Sequence, residues 1–153
     1  MPIEKLKDFL DEKGVRYVTL SHSKAYTAQE IAAAAHIPGR EVAKTVIVKL
    51  DGELAMAVLP ASYQVDLHKL KKASGAEDAE IATEEEFKGR FPASEVGAMP
   101  PFGNLYDMEV YVSRPLDEDE RIAFNAGSHT EMIQMDYEDF QRLVEPTVAD
   151  FVE

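Results

Sequence analysis

The sequence contains no cysteine among its 153 residues, which excludes disulfide bonds, thiolate metal sites and a cysteine nucleophile. Several nucleotide-binding and hydrolase motifs are also missing. There is no phosphate-binding Gly-Lys-Ser/Thr loop, no Gly-x-Gly-x-x-Gly and no Gly-x-Ser-x-Gly. The four histidines do not have the spacing of metal ligands, so we predict no metal site.

Positive charge is scarce as well. The chain has 16 basic residues against 29 acidic ones, for a net charge of −13. Broad, non-specific nucleic-acid binding needs a basic surface, so we expect no binding to double-stranded DNA. Contact with the end of a nucleic acid through a local patch stays open, and the overall charge favours solubility.

Long apolar runs are absent too, so we expect no membrane-spanning segment. The first residues, Met-Pro-Ile-Glu-Lys-Leu, lack the basic and then apolar layout of a signal peptide, so we expect a cytoplasmic protein. The length suits one domain with a substantial core, and we predict a single domain over residues 1–153.

What the sequence does have is a well-marked β-hairpin. The β-branched run Thr45-Val46-Ile47-Val48 predicts a strand that is covered on both faces. Asp51-Gly52 suits a tight turn, and residues 53–59 form the return strand, with larger side chains on one face and alanines on the other. Lys44 lies at the open end of this hairpin. It is either a solvated strand end or a functional ammonium on a rigid strand.

The remaining patterns mix helices and strands. Apolar spacing predicts helices near both ends, and capping residues predict helices after Thr27, Asp66 and Thr83. The other predicted strands cover residues 15–20, 79–82, 109–113, 121–125 and 130–135. Several of these can pair as hairpins. We therefore predict an α+β fold with a curved, mixed or mainly antiparallel sheet and surrounding helices.

Two glycine-bearing loops are candidate sites. The first is Gly97-Ala98-Met99-Pro100-Pro101-Phe102-Gly103, which the prolines stiffen and which is either a rigid connection or a binding loop. The second is Phe124-Asn125-Ala126-Gly127-Ser128-His129, in which Gly127 either occupies a simple turn or presents amides to an oxyanion. Ser128 and His129 are adjacent, and neighbouring side chains diverge on a strand, so they make a poor nucleophile–base pair.

Three features, in this order, resemble the YbaK/prolyl-tRNA-synthetase-associated domain family. They are Ala43-Lys44-Thr45-Val46-Ile47-Val48, the Gly97-x-x-x-Pro101 loop with Phe102-Gly103, and Phe124-Asn125-Ala126-Gly127. The resemblance implies a YbaK-like fold. Members of that family are free-standing editing enzymes that hydrolyse amino acids wrongly attached to tRNA, often tRNA(Pro). The family also supplies the editing domain inserted in bacterial prolyl-tRNA synthetases.

The resemblance also implies roles for individual residues. Lys44 matches the essential lysine of the family, and Gly127 lies in its glycine turn, where backbone amides would face the carbonyl oxygen. The resemblance places Gly97 and Pro101 at the border of the substrate pocket, and Ser128 and His129 follow the glycine turn. The stiff, apolar character of the first loop adds Met99, Pro100 and Phe102 as predicted substrate contacts, and Tyr26 is an alternative. No cofactor or metal is implied. The expected partner is the acceptor end of a mischarged tRNA, contacted through Lys69, Lys71 and Lys72 or held by a further partner such as a synthetase.

A second hypothesis is a non-catalytic module of the same fold that binds an aminoacyl-tRNA, a synthetase or another protein. Lys44 and the intact loop favour the enzyme, whereas the acidic composition favours the module. The sequence does not indicate which amino acid, which tRNA or which oligomeric state is involved.

Overall fold

The computed structural model describes residues 2–21, 30, 41–91, 98–128 and 130–153. The helices in this part of the chain are α1 (Pro2–Glu12), α2 (Leu67–Ser74), α3 (Glu84–Phe87), α4 (Arg114–Asp117) and α5 (Tyr137–Val144). The strands are β1 (Tyr17–Ser21), β2 (Ala43–Leu50), β3 (Glu53–Pro60), β4 (Ala79–Ile81), β5 (Glu109–Ser113), β6 (Arg121–Ser128), β7 (Glu131–Asp136) and β8 (Thr147–Ala149). Short 3₁₀ helices cover Lys88–Arg90 and Gly103–Leu105.

The predicted hairpin is confirmed as β2 and β3. Both residues of its turn have positive φ, 52° at Asp51 and 85° at Gly52, as the sequence predicts for this dipeptide. The strands pair without a bulge from Ala43 with Pro60 to Leu50 with Glu53. This regular register fixes which side chains of β2 share a face.

The strands form two sheets. A three-stranded antiparallel sheet has the order β1-β7-β6, and a five-stranded mixed sheet has the order β4-β2-β3-β5-β8. In the second sheet β3, β5 and β8 run parallel. A parallel bridge between Val42 and Ala123 joins the start of β2 to β6. The α+β class with a mixed sheet is therefore confirmed.

The central hairpin is covered on both of its faces, as predicted. On one face Ile47, Met56 and Val58 enter the main core, together with the fully buried ring of Phe102. On the other face Val48, Ala55 and Ala57 enter a second core. The small alanines there let the ring of Tyr111 and the Leu70 side chain of α2 pack close to the sheet.

The two capping predictions that can be checked are confirmed. Asp66 accepts a hydrogen bond from the Lys69 amide at the start of α2, and Thr83 and Glu86 form a reciprocal capping box at the start of α3. The helix predicted after Thr27 lies outside the described residues, apart from Glu30. Of the described helices, none has the length and apolar character needed to cross a membrane.

Three elements differ from the sequence-based prediction. β6 continues past Asn125 to Ser128, whereas the predicted strand stops at residue 125. The short helix α4 lies between β5 and β6, and the short strand β8 follows α5. Neither element is predicted from the sequence. Parallel pairing with β5 supplies β8, and a bulge lies within the continuation of β6, neither of which local periodicity shows.

Candidate active site at the start of β2

Lys44 is the second residue of β2 and pairs with Leu59 of β3 at the open end of the hairpin. Its side chain is half-buried. Within the part of the chain that the structure describes, the ammonium makes no hydrogen bond and no ion pair. A charged amine on a rigid strand, without a protein partner there, is available to a ligand.

Strand alternation defines the face on which Lys44 lies. It shares this face with its cross-strand partner Leu59, whose side chain is fully buried in the second core. Helix α2 covers the same core through Leu70. The lysines of α2 therefore project from an element that packs on the Lys44 side of the hairpin.

Those lysines are not equivalent. The Lys69 ammonium donates to the Val152 carbonyl oxygen at 3.0 Å, so this lysine holds the C-terminal segment in place. Lys71 and Lys72 lie in the last turn of α2, and Lys72 is exposed. Only the last two are thus available, among the described contacts, for binding a phosphate.

Gly127 lies within β6, at a β-bulge between Asn125 and Ser128, rather than in the turn after the strand. Its φ of 103° is a conformation that favours glycine. Its N–H donates to the Ala98 carbonyl oxygen at 2.8 Å, which joins the two glycine-bearing loops. Because that bond occupies the donor, a catalytic role for Gly127 stays a prediction that depends on neighbouring amides.

The loop after Gly97 is packed tightly into the protein. Pro100 and Pro101 are buried, the Met99 side chain is 4% exposed, and Phe102 is fully buried. The Phe102 ring contacts those of Phe9, Phe124 and Phe140, with centroid distances of 6.1, 5.6 and 5.5 Å. Phe102 thus anchors the loop in the main core, and its predicted contact with substrate stays a prediction.

Gly103 ends this loop at a position without room for a side chain. A Cβ atom there would lie 2.4 Å from the Met108 carbonyl oxygen and 2.6 Å from the Val110 side chain. The absence of a side chain at Gly103 therefore permits this close approach of the backbone.

Ser128 is buried at the end of β6. Its hydroxyl lies 2.9 Å from the Thr130 hydroxyl and accepts a hydrogen bond from the Thr130 amide at 3.1 Å. This hydroxyl is therefore used in closing the turn to β7. The other predicted substrate residues, Tyr26, Gly97 and His129, lie outside the described residues.

Lys49, five residues after Lys44, has a different environment. Its ammonium contacts Glu86 and lies 3.2 Å from a Glu80 carboxylate oxygen. The hydrogen bond from Lys49, followed by one from the Thr83 backbone, lowers the pKa of Glu86 to about 2. Lys49 is thus committed to an ion-pair network at the surface.

A wide acidic cleft of about 430 Å³ lies at the turn end of the hairpin. Asp51, Glu53, Asp107 and Glu109 line it, together with Tyr111. Burial, with the Glu109 carboxylate as a smaller cause, raises the pKa of Tyr111. Because Lys44 lies at the other end of the hairpin, this cleft is separate from the candidate site.

Comparison with known proteins gives the family context of this site. A model of the aminoacyl-tRNA editing domain matches residues 22–143 of the chain. The chain is 32% identical over 88 residues to the proline–tRNA ligase of Staphylococcus saprophyticus, covering 57% of this chain and 15% of the ligase. It is 34% identical over 87 residues to the enzyme of Staphylococcus aureus strain Newman, covering 56% of this chain and 14% of that protein. The chain thus matches a small part of the length of these ligases.

Solved structures share the fold. A protein described as a candidate trans-editing enzyme for prolyl tRNA synthetase superposes with a TM-score of 0.85 at 19% identity, over 99% of this chain and 97% of that one. A signal-transduction candidate from Marinobacter aquaeolei VT8 gives a TM-score of 0.71 at 21% identity, over 92% of this chain and 28% of that one. At these identities the likeness establishes the fold alone.

Proposed function

Because this chain belongs to the aminoacyl-tRNA editing domain family, which it matches over residues 22–143, we propose that it is a trans-editing hydrolase. Its substrate is a mischarged aminoacyl-tRNA, with tRNA(Pro) as the first candidate. The observation that carries the proposal is the Lys44 ammonium, which has no partner among the described residues and stands on a rigid strand inside the matched segment.

The proposed reaction is hydrolysis of the aminoacyl ester. Water attacks the carbonyl carbon, the bond from that carbon to the ribose oxygen breaks, and the ribose hydroxyl leaves with a proton from the water. An aminoacyl ester is already activated, so positioning of the water and stabilisation of the oxyanion can supply much of the rate. Lys44 anchors the substrate around the ester and the terminal ribose, and its positive charge polarises the carbonyl group.

The loop at residues 97–101 shapes the amino-acid pocket in this proposal. Its described side chains are apolar and buried, so the loop would set the size of the pocket rather than its charge. Tyr26 and His129 are further candidates for contact with the amino acid. The acceptor end of the tRNA approaches from the side on which α2 packs, where Lys71 and Lys72 contact phosphates.

The acidic composition limits how much of the tRNA this chain can hold by itself. With a net charge of −13, contact is shallow and confined to the acceptor end, or an aminoacyl-tRNA synthetase holds the rest of the tRNA. We place the reaction in the cytoplasm, where aminoacyl-tRNAs are used.

The proposed site uses no metal and no cofactor, so hydrolysis should survive exhaustive treatment with a chelator. Activity that is lost on chelation and restored by zinc would contradict a metal-independent mechanism.

A deacylation assay tests the proposal directly. Purified protein is incubated with tRNA(Pro) carrying alanine, serine, threonine or cysteine, and release of the amino acid is compared with release from correctly charged tRNA(Pro). Faster hydrolysis of at least one mischarged tRNA is expected. If no mischarged tRNA is hydrolysed but one is bound, the non-catalytic module becomes the better hypothesis, which the acidic composition already favours.

A further inference from the structure

The bridge between Val42 and Ala123 brings the start of β2 to β6, and Asn125 is the polar residue of β6 two positions beyond it. We infer that its carboxamide is a second catalytic group, which donates an N–H to the carbonyl oxygen of the ester. The inference rests on the proposed hydrolase function and adds a residue to its site. Asn125 is not among the site residues that the sequence analysis assigns, because its relation to Lys44 depends on contacts between distant parts of the chain.

The strand register places Asn125 and Lys44 on one face. Val42 and Ala123 are parallel bridge partners, so their side chains point to the same side. Lys44 follows Val42 by two residues in β2, and Asn125 follows Ala123 by two residues in β6. Since side chains two residues apart share a face, Lys44 and Asn125 lie on the same side, each two residues beyond this single bridge.

An apolar floor supports this pair. Val42, Ala123 and Met132 form a buried cluster on the same face, and Met132 is the cross-strand partner of Asn125. The side chains of Lys44 and Asn125 are both half-buried, in contrast to the fully buried neighbours Ala123 and Met132. Two polar groups thus lie at the edge of an apolar surface, where their charge and dipole act with less screening than in open water.

Two other polar groups among the described residues of this segment are already in use. Gly127 donates its N–H to Ala98, and the Ser128 hydroxyl bonds to Thr130. Within the described part of the chain, the Asn125 carboxamide makes no side-chain hydrogen bond. Among the described residues, Asn125 is therefore an uncommitted hydrogen-bond donor in the motif that contains Gly127.

The chemistry needs such a donor. When water adds to the ester, negative charge develops on the carbonyl oxygen. This charge is lost again when the carbonyl group re-forms and the bond to the ribose oxygen breaks. A neutral carboxamide can donate to this oxygen without a change in its own protonation, while the Lys44 ammonium supplies positive charge. Asparagine side chains serve as oxyanion donors in hydrolases, and removal of one such donor costs about 10²–10³-fold in kcat.

The test compares two substitutions at Asn125 with a matched control, using the full chain and a mischarged tRNA that the wild type hydrolyses. Asn125→Ala removes the carboxamide, and Asn125→Asp keeps its shape but loses both N–H donors. Gln134→Ala is the control. Gln134 is a half-buried amide on the same face, paired with Ala123 one row away from Asn125. We expect kcat to fall by about 10²–10³-fold in both Asn125 variants, with KM nearly unchanged, and the control to keep wild-type kcat.

The outcomes separate this inference from the function on which it rests. An active wild type with equally active Asn125 variants overturns the inference alone, as does a rise in KM at constant kcat. A wild type inactive on every mischarged tRNA overturns the proposed function and the inference together. If Asn125→Ala fails to fold, Asn125→Asp decides: lost kcat at a wild-type melting temperature supports the inference, and unchanged kcat refutes it.

Discussion

Lys44 and Lys49 stand on the same strand, yet their surroundings differ in every respect that matters for function. Lys49 lies near the turn end of the hairpin, where Glu80 and Glu86 neutralise its charge. Lys44 lies at the open end, on the opposite face, with no ion pair among the described residues. The same residue type is thus a surface cross-link at one end of β2 and an available cation at the other. The difference supports Lys44 rather than Lys49 as the candidate for contact with a ligand.

Truncation of each lysine in turn tests whether Lys44 and Lys49 differ in function. We expect Lys44→Ala to lower deacylation by at least about 10²-fold, since it removes the cation beside the ester, while the melting temperature stays near that of wild type. Lys49→Ala is the matched control from the same strand and should keep full activity. Near-wild-type hydrolysis by Lys44→Ala would remove this lysine from the mechanism, and loss of folding would favour a structural role.

The second prediction concerns Met99, in the loop that Ala98 ties to Gly127 near the Lys44 end. Met99→Ala opens a cavity in the main core and should cost about 2–5 kcal/mol of stability. If this loop also shapes the pocket, Met99→Ala should change the ranking of the deacylation rates of Ala-, Ser-, Thr- and Cys-charged tRNA(Pro). The expected change in discrimination is about 1–3 kcal/mol per methylene.

The matched control for Met99 is Met56→Ala, a fully buried methionine of β3 in the same core. It should lower stability without changing the ranking of the four substrates. Equal changes for all four substrates in Met99→Ala would mean that specificity lies elsewhere, with Tyr26 and His129 as the next candidates.

Backbone packing at two glycines gives a third, smaller difference. Gly103→Ala forces a Cβ against the Met108 carbonyl oxygen and should destabilise the protein by about 1–3 kcal/mol in denaturant titrations. Gly89→Ala is the control near the Lys49 network, where a Cβ meets nothing within 4 Å and φ is not positive. Equal stability of the two variants would contradict the close packing of the loop.

The smallest effect is the pH dependence at the Lys49 end. The Lys49 hydrogen bond lowers the pKa of Glu86 from 4.5 to about 2 in the folded state. The ion pair therefore contributes stability above pH 4.5, and this contribution is lost as the pH falls towards 2. Lys49→Met should thus be less stable than wild type at pH 6, and the gap should narrow at pH 2. Lys88→Ala, which removes an exposed pair with Glu85, should show no such change.

Local sequence signals predicted the elements whose causes are local. Asp51-Gly52 fixed the hairpin because both residues adopt positive φ, and Thr83 with Glu86 marked a helix start because the two side chains reach each other's backbone. The position of Lys44 at the open end followed from the same hairpin. The match over residues 22–143 confirms the family resemblance. That resemblance added a proposed role for Lys44, which no local signal in the sequence carries.

The features that were missed depend on distant partners. Gly127 resembles a turn glycine in sequence, but the bulge in β6 and its bond to Ala98 place it inside the strand. The three-residue strand β8 exists through its parallel pairing with β5. The common face that we infer for Asn125 and Lys44 follows from the Val42–Ala123 bridge, which no pattern of either segment predicts. Only the Pro115 in the first turn of α4 was a local signal that could have been used.

The tight β2–β3 hairpin has a consequence for how the chain folds. Its strands meet across a two-residue turn, so the hairpin closes at a small entropic cost, whereas Ala55 must find Glu109 across a long intervening segment. We expect the hairpin to be formed in the folding transition state and the parallel pairing of β3 with β5 to follow it. Truncation of Ile47 should then slow folding, whereas truncation of Val110 should chiefly speed unfolding. The strand that carries Lys44 would then form before most of the sheet that surrounds it.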